Sequence, residues 1–237
     1  MSFIPQRRTE LEFLDLPLES YGFKELEGSL ADLTIVNRYL GNNRAVLKHL
    51  SKLMSDSERD LFTVLDIGTG SADIPLALAG WARKAGKRVE ITGIDNNPCT
   101  IEIARNRIGA CPDIKLAVAD CFDLPYPGKS FDFVICSKTL HHFTNQQAVR
   151  LIKEAVRVAR HGYLILDLRR SWVAYILIYI LTRFFTRNRL TRNDGPLSVL
   201  KAFTRDELAA LAAEAGASGF TIAREPFWLM VLKGGSR

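Results

Sequence analysis

Short apolar segments alternate with amphipathic segments through most of the chain. The strand-like apolar segments are FTVLDI, VEITGID, IKLAVAD, FDFVICS and YLILDL. Segments with helical spacing of apolar residues separate most of them, namely IPLALAGWARKA, CTIEIARNRI and QQAVRLIKEAVRVA. Strands that alternate with helices are typical of βαβ units in a parallel sheet. The pattern therefore predicts an α/β protein with a Rossmann-like, doubly wound, mostly parallel sheet.

The carboxyl-terminal segment extends this sheet. TRDELAALAAEAG has the pattern of a helix that begins with a capping box of Thr204 and Glu207 and ends at Gly216. GFTIAREP and FWLMVLK follow it as a pair of strands. The sheet is thus predicted to have seven strands, and no linker divides the chain into independent domains.

The amino-terminal region predicts two helices ahead of the first strand. Residues up to about 27 are predicted to be irregular, because prolines and a glycine interrupt them. From Leu30 to Met54 apolar residues recur at helical spacing, with a break at Gly41. We assign residues 1–60 to a helical lid and residues 61–237 to the main domain.

One insertion separates the strand YLILDL from the last helix, and we assign residues 170–202 to it as a helical cap. Its apolar run of ten residues, from Trp172 to Leu181, is too short to span a bilayer, which needs about 20 residues. The run can form a cap helix over a binding site and offer Tyr175, Ile178 and Tyr179 to an apolar ligand. It can also be a buried helix with a solvated, charged end.

A third interpretation, compatible with the cap, is a helix in a membrane interface with arginines on lipid phosphates. The net charge of +6 comes mainly from residues 169–192, which hold six arginines and no carboxylate. The arginines considered for lipid contact are Arg183, Arg187, Arg189 and Arg192. A nucleic-acid binder is expected to spread its basic residues over a face instead.

The four cysteines form no CxxC pair, so neither a disulfide framework nor a metal site is predicted. The amino-terminal segment lacks the continuous apolar core of a secretory signal. We therefore predict a cytoplasmic protein, and the insertion leaves open a peripheral contact with the inner face of the membrane.

A glycine turn in VLDIGTGSADIP stands where the first strand meets its helix. Ligands of doubly wound sheets bind at the carboxyl ends of the strands, where such turns let them approach the backbone. The alternative is a tight turn that needs glycine for its conformation alone. Asp95 ends the second strand and can accept hydrogen bonds from ribose hydroxyls, or it is a plain surface turn residue.

The acids around the glycine turn distinguish between cofactors. A dinucleotide-binding fingerprint has a third glycine where this chain has Asp73, and Asp66 precedes the turn. Two carboxylates repel a pyrophosphate but suit a ligand that carries an ammonium and a sulfonium group. This charge pattern favours S-adenosylmethionine over a nicotinamide cofactor.

Four segments together resemble the successive motifs of class I S-adenosylmethionine-dependent methyltransferases, over about Phe62 to Leu168. They are VLDIGTGSADIP, ITGIDNNP, VADCFDLPYPGKSFDFVICSKTLHHF and EAVRVARHGYLILDL. Within that class the chain is most similar to the branch of ubiquinone and menaquinone biosynthesis methyltransferases and bacterial relatives that act on lipophilic aromatic or polyketide compounds.

The resemblance implies that Gly68 and Gly70, with Thr69 between them, line the methionine part of the cofactor. It implies further that Asp66 is oriented toward the amino group and that Asp95 holds the ribose. The family has a small residue where Asp73 stands here, which leaves the role of that side chain open.

The resemblance also implies contacts at the next strand ends. Asn96 lies beside the adenine, and Asp120 with the backbone of Cys121 reads the adenine edge. Ser137 and Lys138 border the methionine and the transferring methyl group.

Methyl transfer from a sulfonium is an in-line displacement, so the protein chiefly aligns the acceptor and excludes water. A phenol or enol acceptor is helped by a base, and His141 and His142 follow the fourth strand. The alternative is that the two histidines brace loops by hydrogen bonds.

Four further residues are candidates for contacts with ligands. Arg38 can meet the methionine carboxylate, or it is a solvated arginine. Tyr39 stands beside it on the predicted lid. Asp167 and Arg169, at the end of the fifth strand, face the expected acceptor pocket, or they form a salt bridge with each other.

The predicted function is methyl transfer to an oxygen, less readily to carbon or nitrogen, of a lipophilic aromatic, polyketide or quinol-like small molecule. A nucleic-acid methyltransferase is an alternative, although the chain has no Asn-Pro-Pro-aromatic tetrad. A non-catalytic protein that binds the adenosyl cofactor is another, because fold does not establish function. The sequence predicts no oligomeric state.

Overall fold

The protein is built on one seven-stranded sheet in the order β3-β2-β1-β4-β5-β7-β6. The computed structural model describes residues 4–55 and 57–235. Residues 1 and 237, where the predicted domain ranges begin and end, lie outside the described residues. The strands are β1 (Leu61–Ile67), β2 (Arg88–Asp95), β3 (Ile114–Val118), β4 (Phe131–Ser137), β5 (Ala159–Leu168), β6 (Thr221–Glu225) and β7 (Leu229–Gly235). The first five pair in parallel, and β7 pairs antiparallel with β5 and β6. The prediction of a mostly parallel seven-stranded sheet is confirmed.

Helices cover both faces of this sheet. In chain order they are α1 (Phe23–Tyr39), α2 (Asn42–Ser55), α3 (Asp73–Lys84), α4 (Pro98–Ile108), α5 (Asn145–Val158), α6 (Trp172–Phe185), α7 (Arg189–Lys201) and α8 (Arg205–Glu214). On β1, Val64 packs in a core cluster with α2 and α3, while Leu65 packs in a second cluster with α5 and α8. Neighbouring strand residues thus point to opposite helical layers, which explains the continuous apolar runs of the strands.

Helix α1 begins earlier than the sequence predicts, so the irregular assignment of residues 23–27 is wrong. Gly22 precedes the helix with a φ of +80° and starts it rather than preventing it. Leu26 and Leu30, one turn apart, are buried in a cluster with Tyr21 and Leu190. Burial of this apolar stripe stabilises the first turns of α1, although Gly22 just before them disfavours a helix.

The insertion after β5 forms the helix pair α6 and α7, and α7 packs against α1. A Cβ on Gly195 of α7 would lie 3.0 Å from Cγ2 of Thr182 on α6, so the glycine permits this close approach. Asp194 of α7 accepts hydrogen bonds from the backbone N–H groups of Phe13 and Leu14. The amino-terminal segment is therefore tied to the insertion. No helix among the described residues is long and apolar enough to cross a membrane.

Candidate cofactor and acceptor site

A pocket lies at the carboxyl ends of the parallel strands, next to the boundary of β1 and β4 where the strand order reverses. Such switch points are where doubly wound sheets bind ligands. Loops after the strands form its floor, and α1, α6 and α7 form its other walls. The helical residues that line it include Leu30, Leu33, Val36, Asn37, Ile178, Leu181, Thr182, Asp194 and Ser198.

The glycine turn after β1 has two left-handed residues, Gly68 with a φ of +69° and Gly70 with a φ of +53°. A Cβ on Gly68 would lie 2.3 Å from Oγ1 of Thr139, whereas a Cβ on Gly70 would meet no atom within 4 Å. Glycine is thus required at position 68, because its backbone is left-handed and because any side chain would overlap Thr139. Gly70 leaves open space beside the backbone in the pocket, which is where a ligand can approach the turn.

Two buried carboxylates in this pocket each keep one oxygen without a hydrogen-bond partner among the described residues. Oδ2 of Asp66 accepts from Oγ1 of Thr69 at 2.8 Å, but Oδ1 of Asp66 is unpartnered, as is Oδ2 of Asp73. Burial raises the pKa of Asp66 to about 7. A cationic ligand satisfies both features, because it supplies the missing donors and stabilises the carboxylates. The ammonium of S-adenosylmethionine can donate hydrogen bonds to these acceptors.

Asp95 connects the end of β2 to the glycine turn. Its Oδ2 accepts the Gly70 N–H at 3.2 Å and its Oδ1 accepts the Asn97 N–H at 3.1 Å. Burial is the largest influence on this carboxyl and raises its pKa. Asn96 and Cys121 line the pocket beside it. The structure thus brings together the ends of β1, β2 and β3, as the sequence predicts.

Asp120 is placed differently from its neighbours. Its side chain is exposed, lies outside the pocket lining, and accepts the Phe122 N–H at 2.9 Å. This bond holds the loop that carries Cys121 into the pocket.

The end of β4 is closed by the junction of α1 and α2. Nζ of Lys138 donates to Oδ1 of Asn37, and Oγ of Ser137 donates to Oδ1 of Asn42 at 3.1 Å. Burial lowers the pKa of Lys138 to about 8. Sequence reasoning gave no role to Asn42, since an asparagine at a helix start is an ordinary helix-terminus signal.

His141 is buried and paired with Asp167. Its Nδ1 lies 2.6 Å from Oδ1 of Asp167, and its backbone N–H donates to Oδ2 at 2.9 Å. Burial alone would raise the pKa of Asp167, but the charge and hydrogen bonds of His141 outweigh it and lower that pKa. His141 lines the pocket, and its Nε2 lies 3.6 Å from Oε1 of Glu12, which is too far for a hydrogen bond.

His142 has a different electrostatic environment. Its Nδ1 lies 2.7 Å from Oδ1 of Asp15. Burial lowers the pKa of His142, but the carboxylates of Glu12 and Asp15 outweigh burial and raise it to about 9. The raised pKa favours the protonated form of His142 and so disfavours it as a proton acceptor.

Glu12, Asp15, Ser198 and Lys201 complete this cluster, in which Glu12 and Lys201 are buried. Sequence reasoning missed all four. Oγ of Ser198 donates to Oε2 of Glu12 at 2.9 Å, and Nζ of Lys201 lies 3.1 Å from Oδ2 of Asp15. No spacing rule relates these residues, because 186 positions separate the members of each pair. The signal was present only as two acids around an apolar pair in the segment Glu12 to Asp15.

Glu12, His141 and His142 bring ligand atoms within 4.8 Å of one another, a grouping that could hold a metal ion. Lys201 and protonated His142 already supply positive charge to the carboxylates of this cluster. We therefore assign no metal to it.

Besides Asp120, six other residues predicted from sequence to contact ligands lie outside the pocket lining. They are Arg38, Tyr39, Asp167, Arg169, Tyr175 and Tyr179. Tyr39 and Tyr179 are 70% and 43% exposed, so contacts of these two with an enclosed acceptor have no support in this structure. Asp167 reaches the pocket only through His141. Leu168, Ile178 and Leu181 provide the apolar wall instead.

Comparison with known proteins agrees with this architecture. Residues 64–162 match the methyltransferase domain family. The chain is 29% identical to the ubiquinone/menaquinone biosynthesis C-methyltransferase of Laribacter hongkongensis over 61% of its own length and 58% of that protein. It therefore spans less than two thirds of that relative. It is 27% identical to the demethylmenaquinone methyltransferase of Thermotoga maritima over 71% of its own length and 74% of that protein.

A solved structure of a methyltransferase from Aquifex aeolicus has the same fold. It superimposes with a TM-score of 0.62 at 15% identity, covering 89% of this chain and 98% of that one. The superposition shows the fold that this chain shares with that methyltransferase. Residues 64–162 match a methyltransferase domain, and the chain is similar in sequence to ubiquinone and menaquinone biosynthesis methyltransferases.

Proposed function

We propose that this chain transfers a methyl group from S-adenosylmethionine to a ring carbon of a lipophilic, hydroxylated aromatic or quinol-like small molecule. One observation carries the proposal. The same pocket holds two buried carboxylate oxygens without partners, on Asp66 and Asp73, and an apolar chamber under α1 and α6. A cationic cofactor fits the two carboxylates, and a lipophilic acceptor fits the apolar chamber. The comparisons give no support to methylation of nucleic acids.

The accepting atom is the finer part of the proposal. The sequence analysis favours oxygen, but the similar protein from Laribacter hongkongensis is named a C-methyltransferase, which supports carbon. A phenol that loses its proton gains negative charge on the oxygen and on the ring carbons ortho and para to it. Either product therefore needs the same proton acceptor in the protein.

The cofactor would be held by the loops after β1, β2 and β3. When bound, S-adenosylmethionine supplies an electrophilic methyl group on a sulfonium. Asp66 would accept from its ammonium through the free Oδ1, and Asp95 would accept from its ribose while keeping the backbone bonds from Gly70 and Asn97. Both carboxylates are buried, so their attraction for positive charge is weakly screened.

The acceptor hydroxyl would meet His141. Asp167 holds Nδ1 of His141, which fixes the ring and leaves Nε2 to accept a proton. A positioned imidazole of this kind is suited to general base catalysis. Protonated His142 lies next to it, with ring centroids 4.4 Å apart, and would stabilise the phenolate oxygen electrostatically.

The helices over the pocket would exclude water from the reaction. Leu33 and Val36 of α1 and Leu181 of α6 present apolar side chains to it. The lid (residues 1–60) and the cap (residues 170–202) are our assignment for these walls. Closing them would bury the acceptor and strengthen the electrostatic contacts within.

Calorimetric titration of the protein with S-adenosylmethionine, S-adenosylhomocysteine and NAD tests the cofactor assignment. We expect the two adenosyl compounds to bind and NAD not to bind. Binding of NAD alone would overturn the proposal.

A screen of phenolic and quinol acceptors with a ¹³C-labelled methyl donor then tests the reaction. The ¹³C chemical shift of the product separates a methyl on carbon from a methoxy group. Methoxy products alone would overturn the choice of carbon. Firm cofactor binding without transfer to any acceptor in the screen would point instead to a non-catalytic binding protein.

A further inference from the structure

Helix α6 presents a large apolar surface to the outside of the protein. Eight of its fourteen residues are large, exposed apolar or aromatic side chains. They are Trp172, Val173, Ile176, Leu177, Tyr179, Ile180, Phe184 and Phe185, and we call them the α6 face. Phe184 and Phe185 are each 81% exposed. Single exposed apolar residues are ordinary, but a contiguous patch of this kind marks an interaction surface.

The opposite side of the same helix belongs to the pocket. Ile178, Leu181 and Thr182 line it, at positions that lie across the helix from Ile176 and Ile180. Helix α6 is thus apolar on both sides but covered by protein on only one. A helix that is apolar all round is normally buried, so the α6 face lacks a partner among the described residues.

The charges near the end of α6 identify the chemistry of that partner. Arg183 and Arg192 donate hydrogen bonds only to backbone carbonyls, and no ion pair involves Arg183, Arg187 or Arg192 within the described chain. Arg189 differs, because it pairs with Glu25. Three cationic side chains beside an apolar surface therefore stay available for anions.

We propose that the α6 face inserts into the surface of an anionic phospholipid bilayer, with Arg183, Arg187 and Arg192 on the lipid phosphates. Apolar side chains on one side and arginines near the headgroups are what an interfacial helix needs. Trp172 and Tyr179 suit this depth because each combines an apolar ring with a polar group. With fourteen residues, α6 lies in the interface and does not span the bilayer.

This inference stands apart from methyl transfer, because membrane binding needs neither cofactor nor acceptor. One consequence does rest on the proposed function. Since α6 is both the membrane contact and a wall of the pocket, a lipophilic acceptor could reach the pocket from the bilayer without crossing water.

Flotation of the full chain with lipid vesicles tests the proposal. We expect binding to vesicles of phosphatidylcholine mixed with phosphatidylglycerol, weaker binding to phosphatidylcholine alone, and a decrease with rising salt. The double variant Phe184→Ser with Phe185→Ser should lose at least about tenfold in binding to mixed vesicles. Both side chains are largely exposed, so the fold should tolerate the change.

Two more variants test whether vesicle binding depends on the α6 face and its arginines rather than on any exposed apolar side chain. Leu53→Ser removes an apolar side chain that is 50% exposed on α2, and it should leave vesicle binding unchanged. Arg187→Glu reverses an exposed charge and should weaken binding to mixed vesicles only. The proposal would be overturned if the wild-type protein bound to neither kind of vesicle. It would also be overturned if the double phenylalanine variant bound mixed vesicles as well as the wild-type protein does.

A second copy of the chain is the competing occupant, and light scattering distinguishes it. A dimer that dissociates in the double phenylalanine variant, without any vesicle binding, would assign the α6 face to self-association and overturn the proposal. Calorimetry with S-adenosylmethionine on the same variant reports separately on the proposed function, because that variant leaves the cofactor loops intact.

Discussion

Nδ1 of His141 and Oδ1 of Asp167 lie 2.6 Å apart, and both side chains are buried. The pair connects the turn after β4 to the end of β5 at the floor of the pocket. The sequence left two alternatives for Asp167, which were contact with the acceptor and a salt bridge with Arg169. The structure pairs it with His141 instead, which makes it a positioning residue for the imidazole.

Asp167→Asn should lower kcat by at least about 100-fold, because the amide cannot hold the imidazole in the tautomer that leaves Nε2 free. Affinity for S-adenosylmethionine should stay unchanged, since Asp167 lies outside the pocket lining. Steady-state kinetics and calorimetry measure the two quantities. A matched His141→Asn variant should lose a similar amount, and the double variant little more. Unchanged kcat in a folded Asp167→Asn protein would remove His141 as the base.

Asp95→Asn should weaken binding of S-adenosylmethionine by at least about tenfold, because a neutral amide replaces a buried carboxylate that accepts hydrogen bonds. Calorimetry on the purified variant measures this. Asp120→Asn is the matched control, since its carboxylate is exposed and holds only the Phe122 N–H. If Asp120→Asn instead weakens binding as strongly, the adenine contact predicted for Asp120 from the family resemblance gains support.

Gly68→Ala should destabilise the fold by at least about 2 kcal/mol, because alanine is disfavoured at positive φ and its Cβ would overlap Thr139. Chemical denaturation measures the free energy of unfolding. Gly80→Ala is the control in helix α3, where a Cβ meets no atom within 4 Å. It should stabilise the protein by up to about 1 kcal/mol. Equal stabilities of the two variants would contradict the steric role of Gly68.

The pairing of His142 with Asp15 should make stability depend on pH in the alkaline range. The pKa of His142 is raised from 6.5 to about 9. Its stabilising contribution is therefore complete below pH 6.5 and is lost as the pH rises through 9. At a conversion of 1.36 kcal/mol per pKa unit, the loss is on the order of 3 kcal/mol at most.

Thermal unfolding of wild-type protein and His142→Gln between pH 6 and 10 measures this difference. Wild-type Tm should fall across the range, while the variant should start lower and change less. Parallel curves for the two proteins would show that His142 does not hold the raised pKa.

The chain's local patterns determine its fold class and half of its site. Apolar strand segments between amphipathic helices specify a parallel sheet, since each such segment can be buried only between two helical layers. The carboxyl ends of parallel strands share one edge. The glycine turn at Gly68, Asp95 and Ser137 therefore had to lie together, as the sequence predicts.

Only the tertiary structure decided the acceptor side. Glu12 and Lys201 meet His142 and Asp15 because the short 3-10 helix Phe13–Asp15 packs on α7, across 127 to 186 positions of the chain. No periodicity encodes such contacts. The direction of α6 was equally undetermined, because a helix that is apolar all round has no pattern to show which side faces the pocket. Because α6 packs on α7, Ile178 and Thr182 lie against α7, whereas Phe184 and Phe185 are exposed at the protein surface.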